Sequence, residues 1–248
     1  STRLKKANRA ERRARETGQL PLFDPPADYR ALSFSWAQLD EAPDSNLSEW
    51  EQKEAYYAAL RQSDDYRRAC TVANAWCAAF VWDKRPEIPA LTDAVFNRFC
   101  ADPFGDEFAA VRAEVERLTE QYHFFHWHCE FPDVFRVLDS PDSAAPMGWS
   151  GGFDCVLGNP PWERIKIQEK EWFASRIPDI AEASNAAVRK RMIEALIYRD
   201  PYLLQAFRSD QRAAEGESHF IRTSERYPLT GRGDINTYAL FTELARLI

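Results

Sequence analysis

Residues 159–162, Asn159-Pro160-Pro161-Trp162, are the part of this sequence best equipped for chemistry. Asn159 and Pro160 each precede a proline, which pushes both backbones to extended geometry. The proline rings fix φ and remove two backbone donors. The turn is therefore stiff, and its exposed backbone groups are mainly acceptors. The Asn159 side chain adds an amide oxygen. Trp162 places an indole face beside these acceptors, suited to stacking on a planar ring. The matching ligand is a planar group with an exocyclic amino donor. Adenine carries one at N6, and a base paired in a duplex must be flipped out before that nitrogen can react.

A second cluster of reactive side chains is His123, His126, His128 and Cys129, with Cys100 upstream. Imidazole and thiolate are zinc ligands, but there is no CxxC pair and no HExxH. Aromatic packing among Phe124, Phe125, Trp127 and Phe131 explains these histidines better, and no metal is expected. The five cysteines are an odd number without paired spacing, the pattern of reduced thiols in a cytoplasmic protein.

The elements that must position the turn come next. FDCVL, residues 153–157, reads as a strand buried on both faces, which puts the turn where α/β sheets bind ligands, past the carboxyl end of a strand. Residues 49–62 read as a helix. Ser63 caps another, with Asp64 and Asp65 in its first turn and Tyr66, Ala69, Cys70, Ala73, Trp76, Cys77 and Phe80 as its inward face. Phe104, Phe108, Val111, Val115 and Leu118 predict a helix over 104–121. The alternation of 122–135 predicts an extended segment, and 139–150 a loop. Helices are expected over 163–175 and 180–199, the latter with Val188, Met192 and Leu196 inward, and another from Tyr202 to Phe207. A loop is expected over 215–234 and a last helix over 235–248 with Tyr238, Phe241, Leu244, Ala245 and Ile248 inward. Residues 17–47 carry Pro21, Pro25, Pro26 and Pro43 without a sustained period and read as an arm or linker.

The chain has 248 residues, 45% of them hydrophobic, and a formal charge of −7. No apolar run approaches the ~20 residues of a membrane span. The acidic balance argues against non-specific nucleic-acid binding, which rests on phosphate neutralisation. Basic residues do gather in two places, residues 3–15 and Arg189-Lys190-Arg191. Both read first as solvated faces, with DNA contact the alternative.

FDCVLGNPPW resembles motif IV of the N6-adenine DNA methyltransferases, a hydrophobic strand followed by N/D/S-P-P-Y/F/W. FHWHCEFPDVF before it, WERIKIQEKEWFA after it and GRGDINTYALF further on are similar to the large fused methyltransferases of bacterial restriction–modification and phage-defence systems. The resemblance covers roughly residues 48–248. It implies that Asn159 Oδ1 and the Pro160 carbonyl accept from the adenine N6 amino group of double-stranded DNA with a flipped base, that Trp162 stacks on that base, and that Pro161 shapes the turn. It implies S-adenosylmethionine as cofactor, with Tyr238 and Phe241 near cofactor and base. The family's glycine-rich cofactor loop and ribose-binding acid are not found in the sequence. Gly231-Arg232-Gly233 follows no apolar strand and reads as a turn.

The expected fold is α/β and helix-dominated, a partial Rossmann-like methyltransferase catalytic half with a large helical insertion. The expected organisation is a basic arm over 1–47, the insertion over 48–122 and the catalytic half over 123–248. On this reading the chain is an internal segment, inactive alone and partnered by the remainder of its parent polypeptide. The alternative is a non-catalytic helical module that binds DNA or a subunit.

Overall fold

The computed structural model describes residues 29–83, 87–138 and 148–248. The basic run of residues 3–15 lies outside them. The chain divides into two compact units, residues 1–155 with Ile248 and residues 156–247.

The first unit is helical. Its described elements are α1 (Tyr29–Glu41), α2 (Leu47–Gln62), α3 (Asp64–Val81), α4 (Asp93–Ala101), a 3-10 turn (Asp106–Phe108), α5 (Ala109–Tyr122) and the short α6 (Trp127–Glu130). Side-chain oxygens begin three of the helices as the sequence chemistry requires. Asn46 accepts from Glu49 N–H, Ser63 from Tyr66 N–H and Thr92 from Val95 N–H, each satisfying an orphan donor. The central helix α3 buries Tyr66, Ala69, Val72, Ala75, Ala78 and Val81. Its first half meets Leu32, Trp36, Leu39 and Leu60 of α1 and α2. Its second half meets Phe99, Phe108, Val111, Val115 and Leu118. The small side chains at 69, 75 and 78 are what let neighbouring helices approach on more than one side. The expected inward face is therefore right at Tyr66 and Ala69 and rotates beyond them, leaving Cys70, Ala73, Trp76, Cys77 and Phe80 half-buried.

Two carboxylates of this unit are used internally. Glu130 accepts from Tyr66 Oη at 2.7 Å and from Arg61 Nη1 at 3.0 Å. Buried Glu114 holds Arg117 through two bonds of 2.7 Å. Among the described residues the only sheet is a two-residue antiparallel pair, β1 (Arg136–Val137) with β2 (Trp149–Ser150), with Arg136 opposite Ser150. Phe135 packs edge-on against both Trp149 and Phe153 beside it.

The second unit comprises α7 (Glu169–Ala174), α8 (Pro178–Ala181), α9 (Ala186–Arg199), α10 (Pro201–Thr223) and α11 (Thr237–Leu247). Phe173, Ile180, Ile193, Leu196, Leu204 and Phe207 form one core. Ile221, Ile235 and Leu240 form a smaller one. Pro201 breaks the α9 periodicity and starts α10 at a position where its missing N–H is harmless, with Asp200 accepting from Leu203 N–H at 2.9 Å.

Several sequence expectations are corrected. The predicted strand over 153–157 is irregular, with Leu157 91% exposed. A strand is stable only when its backbone groups meet a neighbour's, and among the described residues no strand flanks this one. The extended segment over 122–135 contains helix α6, entered through His123 in the left-handed conformation at the end of α5. Alternation of aromatics there reflects ring packing instead of a pleat. Part of the 17–47 arm is helix α1, whose Leu32, Trp36 and Leu39 are buried. The expected 163–175 helix starts only at Glu169, because 163–165 is extended against 235–237. The expected 180–199 helix is split by a turn before its Asn185 cap. Helix α10 runs through the expected 215–234 loop as far as Thr223, carrying Gly216 inside it. Of the expected inward face of the last helix, Ile248 is buried and Leu244 and Ala245 are half-buried, but its two aromatics are not. Leu240 and Glu243 are buried, while Tyr238 and Phe241 are 46% and 49% exposed. Overall the described fold is helix-dominated, and the Rossmann-like sheet is not seen among the described residues.

Candidate functional site

The turn at 159–162 belongs to the second unit, and the residues after it fix its direction. Arg164 forms an antiparallel bridge with Asn236. Thr237, the first residue of α11, then ties the turn down. Its hydroxyl donates to the Pro161 carbonyl at 2.6 Å and accepts from Glu163 N–H at 2.9 Å. Its own N–H donates to the Glu163 carbonyl at 2.9 Å. Asn236 Oδ1 accepts from Tyr238 N–H at 3.2 Å, holding the start of the helix. The Tyr238 ring lies 5.5 Å from that of Trp162, tilted by 35°. Trp162 nonetheless remains 79% exposed.

The structure thus brings Tyr238 beside the turn, and it adds Thr237, which sequence reasoning misses. The signal is in NTY, a hydroxyl residue between a capping asparagine and an aromatic. Nothing local says that its partner lies 76 residues earlier. Phe241, one turn along α11, makes no ring contact with Trp162 among the described residues.

What remains unbonded decides what the turn can do. Pro161 is the carbonyl that Thr237 consumes. The Asn159 amide and the Pro160 carbonyl have no hydrogen-bond partner among the described residues, and Asn159 is exposed. Two adjacent acceptors are therefore presented on a braced loop, next to an open indole face.

Helix α11 is itself anchored by Glu243. This carboxylate is 5% exposed and accepts from Leu229 N–H at 2.9 Å, Thr230 N–H at 2.8 Å and the Thr230 hydroxyl. Burial alone would raise its pKa. The Thr230 hydroxyl, the two N–H groups and nearby Arg246 outweigh that and hold it below the usual carboxylate range. In the adjoining turn a Cβ at Gly231 would fall 2.6 Å from the Tyr227 carbonyl and 2.7 Å from that of Ile221, so only glycine fits. Arg222 Nη2 bonds the Gly233 carbonyl at 2.6 Å. Gly231-Arg232-Gly233 is therefore a closed structural turn and no cradle for a cofactor.

The histidines and cysteines of the second cluster each pack or bond elsewhere, although the rings of His126 and His128 lie 5.9 Å apart. His126 Nε2 meets Asn74 Oδ1 at 2.8 Å. His128 stacks on Trp149 and meets Tyr29 edge-on. Cys129 is buried in the core with Cys70 beside it, and burial pushes the Cys100 thiol up to about 12. Among the described residues no three His, Cys, Asp or Glu side chains are placed to share a metal ion.

Residues 81–193 match the model of the Eco57I restriction-modification methylase family. The matched stretch contains the whole 159–162 turn and ends inside α9. It makes this stretch similar to a restriction–modification methylase. The chain matches no curated protein and no solved structure. Among the described residues no helix is long and apolar enough to cross a membrane.

Proposed function

We propose that the 159–162 turn is the base-holding site of a DNA adenine-N6 methyltransferase belonging to a restriction–modification or phage-defence system. The observation that carries this reading is the pair of unbonded acceptors, Asn159 Oδ1 and the Pro160 carbonyl, beside an exposed Trp162. Each acceptor takes one hydrogen of the exocyclic amino group of a flipped adenine. Holding both hydrogens draws the nitrogen lone pair out of conjugation with the ring and so makes it nucleophilic. Trp162 stacks on the base, and Tyr238 backs Trp162. Thr237 keeps the Pro161 carbonyl occupied, which fixes the orientation of the preceding carbonyl without competing for the base. The methylase family implies S-adenosylmethionine as the methyl donor.

The test is Asn159→Ala in the full-length protein. Adenine methylation should fall by about 10²–10³-fold, the loss that follows removal of one preorganised polar contact to a reacting group. The melting temperature should stay unchanged, because the amide is exposed and forms no hydrogen bond among the described residues. A fully active variant would sink the assignment.

A further inference from the structure

We propose that the outward face of the α9–α10 hairpin is a docking surface for duplex DNA, separate from the base-holding turn. The inference rests on DNA being the substrate. The hairpin contradicts the charge of the chain that carries it. Over residues 186–223 there are seven Lys or Arg against five Asp or Glu, in a protein of net −7.

Two of these carboxylates are already engaged. Asp200 caps α10 and Asp210 accepts from Trp172 Nε1 at 2.9 Å. Of the cations, Arg189 is spent on Glu169 at 2.9 Å, on the inner side of α9. Lys190, Arg191, Arg199 and Arg208 are different. All four are exposed and form no hydrogen bond or ion pair among the described residues.

Two aromatic side chains stand among these cations. Tyr198 is 90% and Tyr202 86% exposed, at the corner where α9 hands over to α10. Arg191 and Tyr198 are seven residues apart, so they share one stripe of α9 two turns apart. A solvated helix face explains charges but not two nearly naked tyrosines beside Ile197, itself 49% exposed. Unpaired guanidinium and ammonium groups interleaved with phenol hydroxyls and rings are the chemistry that grips a phosphate–sugar backbone. The same surface is poorly suited to an apolar partner, because its cations would be desolvated without counter-charges.

The test is fluorescence anisotropy of the full-length protein on a short mixed-sequence duplex over a salt series, with methylation measured in parallel. The variant combines Lys190→Ala, Arg191→Ala, Arg199→Ala and Arg208→Ala, with its fold checked by circular dichroism and melting temperature. The log–log salt slope should shrink by about 0.9 for each phosphate no longer neutralised, as much as ~3.6 for all four, with affinity down about tenfold or more. Tyr198→Ser with Tyr202→Ser should weaken binding at an unchanged slope. If the folded quadruple variant keeps the wild-type slope and affinity, the proposal is overturned while the methylase reading stands. If the hairpin variants lose DNA but the wild type methylates no adenine, the docking surface stands and the methylase reading fails. If the tyrosine variant keeps its DNA affinity and instead changes from dimer to monomer in sedimentation velocity, the face is a protein interface and the proposal is wrong.

Discussion

The carboxylates at 130 and 243 and the amide at 159 are all polar groups held by folded chain, and they are treated in opposite ways. Glu130, in the first unit, is consumed by Tyr66 and Arg61. Glu243, in the second, is consumed by the Leu229–Thr230 turn. Asn159 is consumed by nothing and faces solvent. A polar group whose bonds are all met within the protein has only a structural task. One displayed without partners, on a loop braced by its neighbours, is available to a ligand. The contrast makes a separable forecast: mutations at the first kind of site change stability, and at the second they change activity.

The largest expected stability effect is at Glu243. Glu243→Ala leaves two backbone donors and a hydroxyl without their charged acceptor, at a cost of about 3–5 kcal/mol. Thermal or urea unfolding measures it. The pH dependence follows from the direction of its shift. The folded pKa lies below the unfolded one, so the stabilisation is fully present above the ordinary carboxylate value of about 4.3 and is lost as pH falls through the folded value. The stability gap between wild type and Glu243→Gln should therefore close on acidification below about pH 4. A gap that widens instead would show that the carboxylate is not held ionised.

How much of the molecule is legible in its sequence depends on the range of the interaction. Ser63 and its helix are readable because a cap and its partner lie three residues apart. The 159–162 turn is readable because proline restricts its own neighbours. Burial on α11 is easily misread, since Tyr238, Phe241 and Leu240 are all large and mostly apolar, and the inward face is set by distant partners: Glu243 reaches back 13 and 14 residues, and Leu240 packs with Ile221 and Ile235. The strand expected over 153–157 fails for a related reason. Its apolar run specifies a surface that would suit a sheet, but pairing is a property of neighbours and cannot be read from one segment. Thr237 escapes sequence reasoning because its chemistry is defined entirely by Pro161 and Glu163, which are distant in sequence.

A smaller effect is expected at Trp162. Because the ring is mostly in solvent, Trp162→Ala should leave the melting temperature nearly unchanged and weaken capture of the flipped base by about 1–3 kcal/mol. Trp162→Phe keeps a π-face and should retain much of the activity. Were the tryptophan a core residue, the alanine variant would instead lose about 3–5 kcal/mol of stability. Comparing duplexes with a normal and a mismatched target adenine sharpens the result, since the mismatch already lowers the flipping cost and should partly rescue Trp162→Ala.

The smallest effect, and the most informative, is at Thr237, because it stands between the two classes. Its hydroxyl is consumed, like Glu243, but what it consumes is the carbonyl next to the proposed reacting pair. Thr237→Val keeps the shape and removes the bonds to Pro161 and Glu163. The groups left behind are solvent-accessible, so water replaces the hydroxyl and the stability loss should be only ~1 kcal/mol. The backbone bond from Thr237 N–H to the Glu163 carbonyl survives the change. The loop therefore stays in place but is no longer held at the hydroxyl that orients its last proline. Activity should fall about tenfold, equivalent to ~1.4 kcal/mol. The loss should appear in kcat and hardly in KM for DNA, since Trp162 and the remote DNA contacts are untouched. Thr237→Ser restores the hydroxyl and should restore kcat. A valine variant with wild-type kcat would mean that the two prolines hold the turn unaided, and Thr237 would then belong with the purely structural groups.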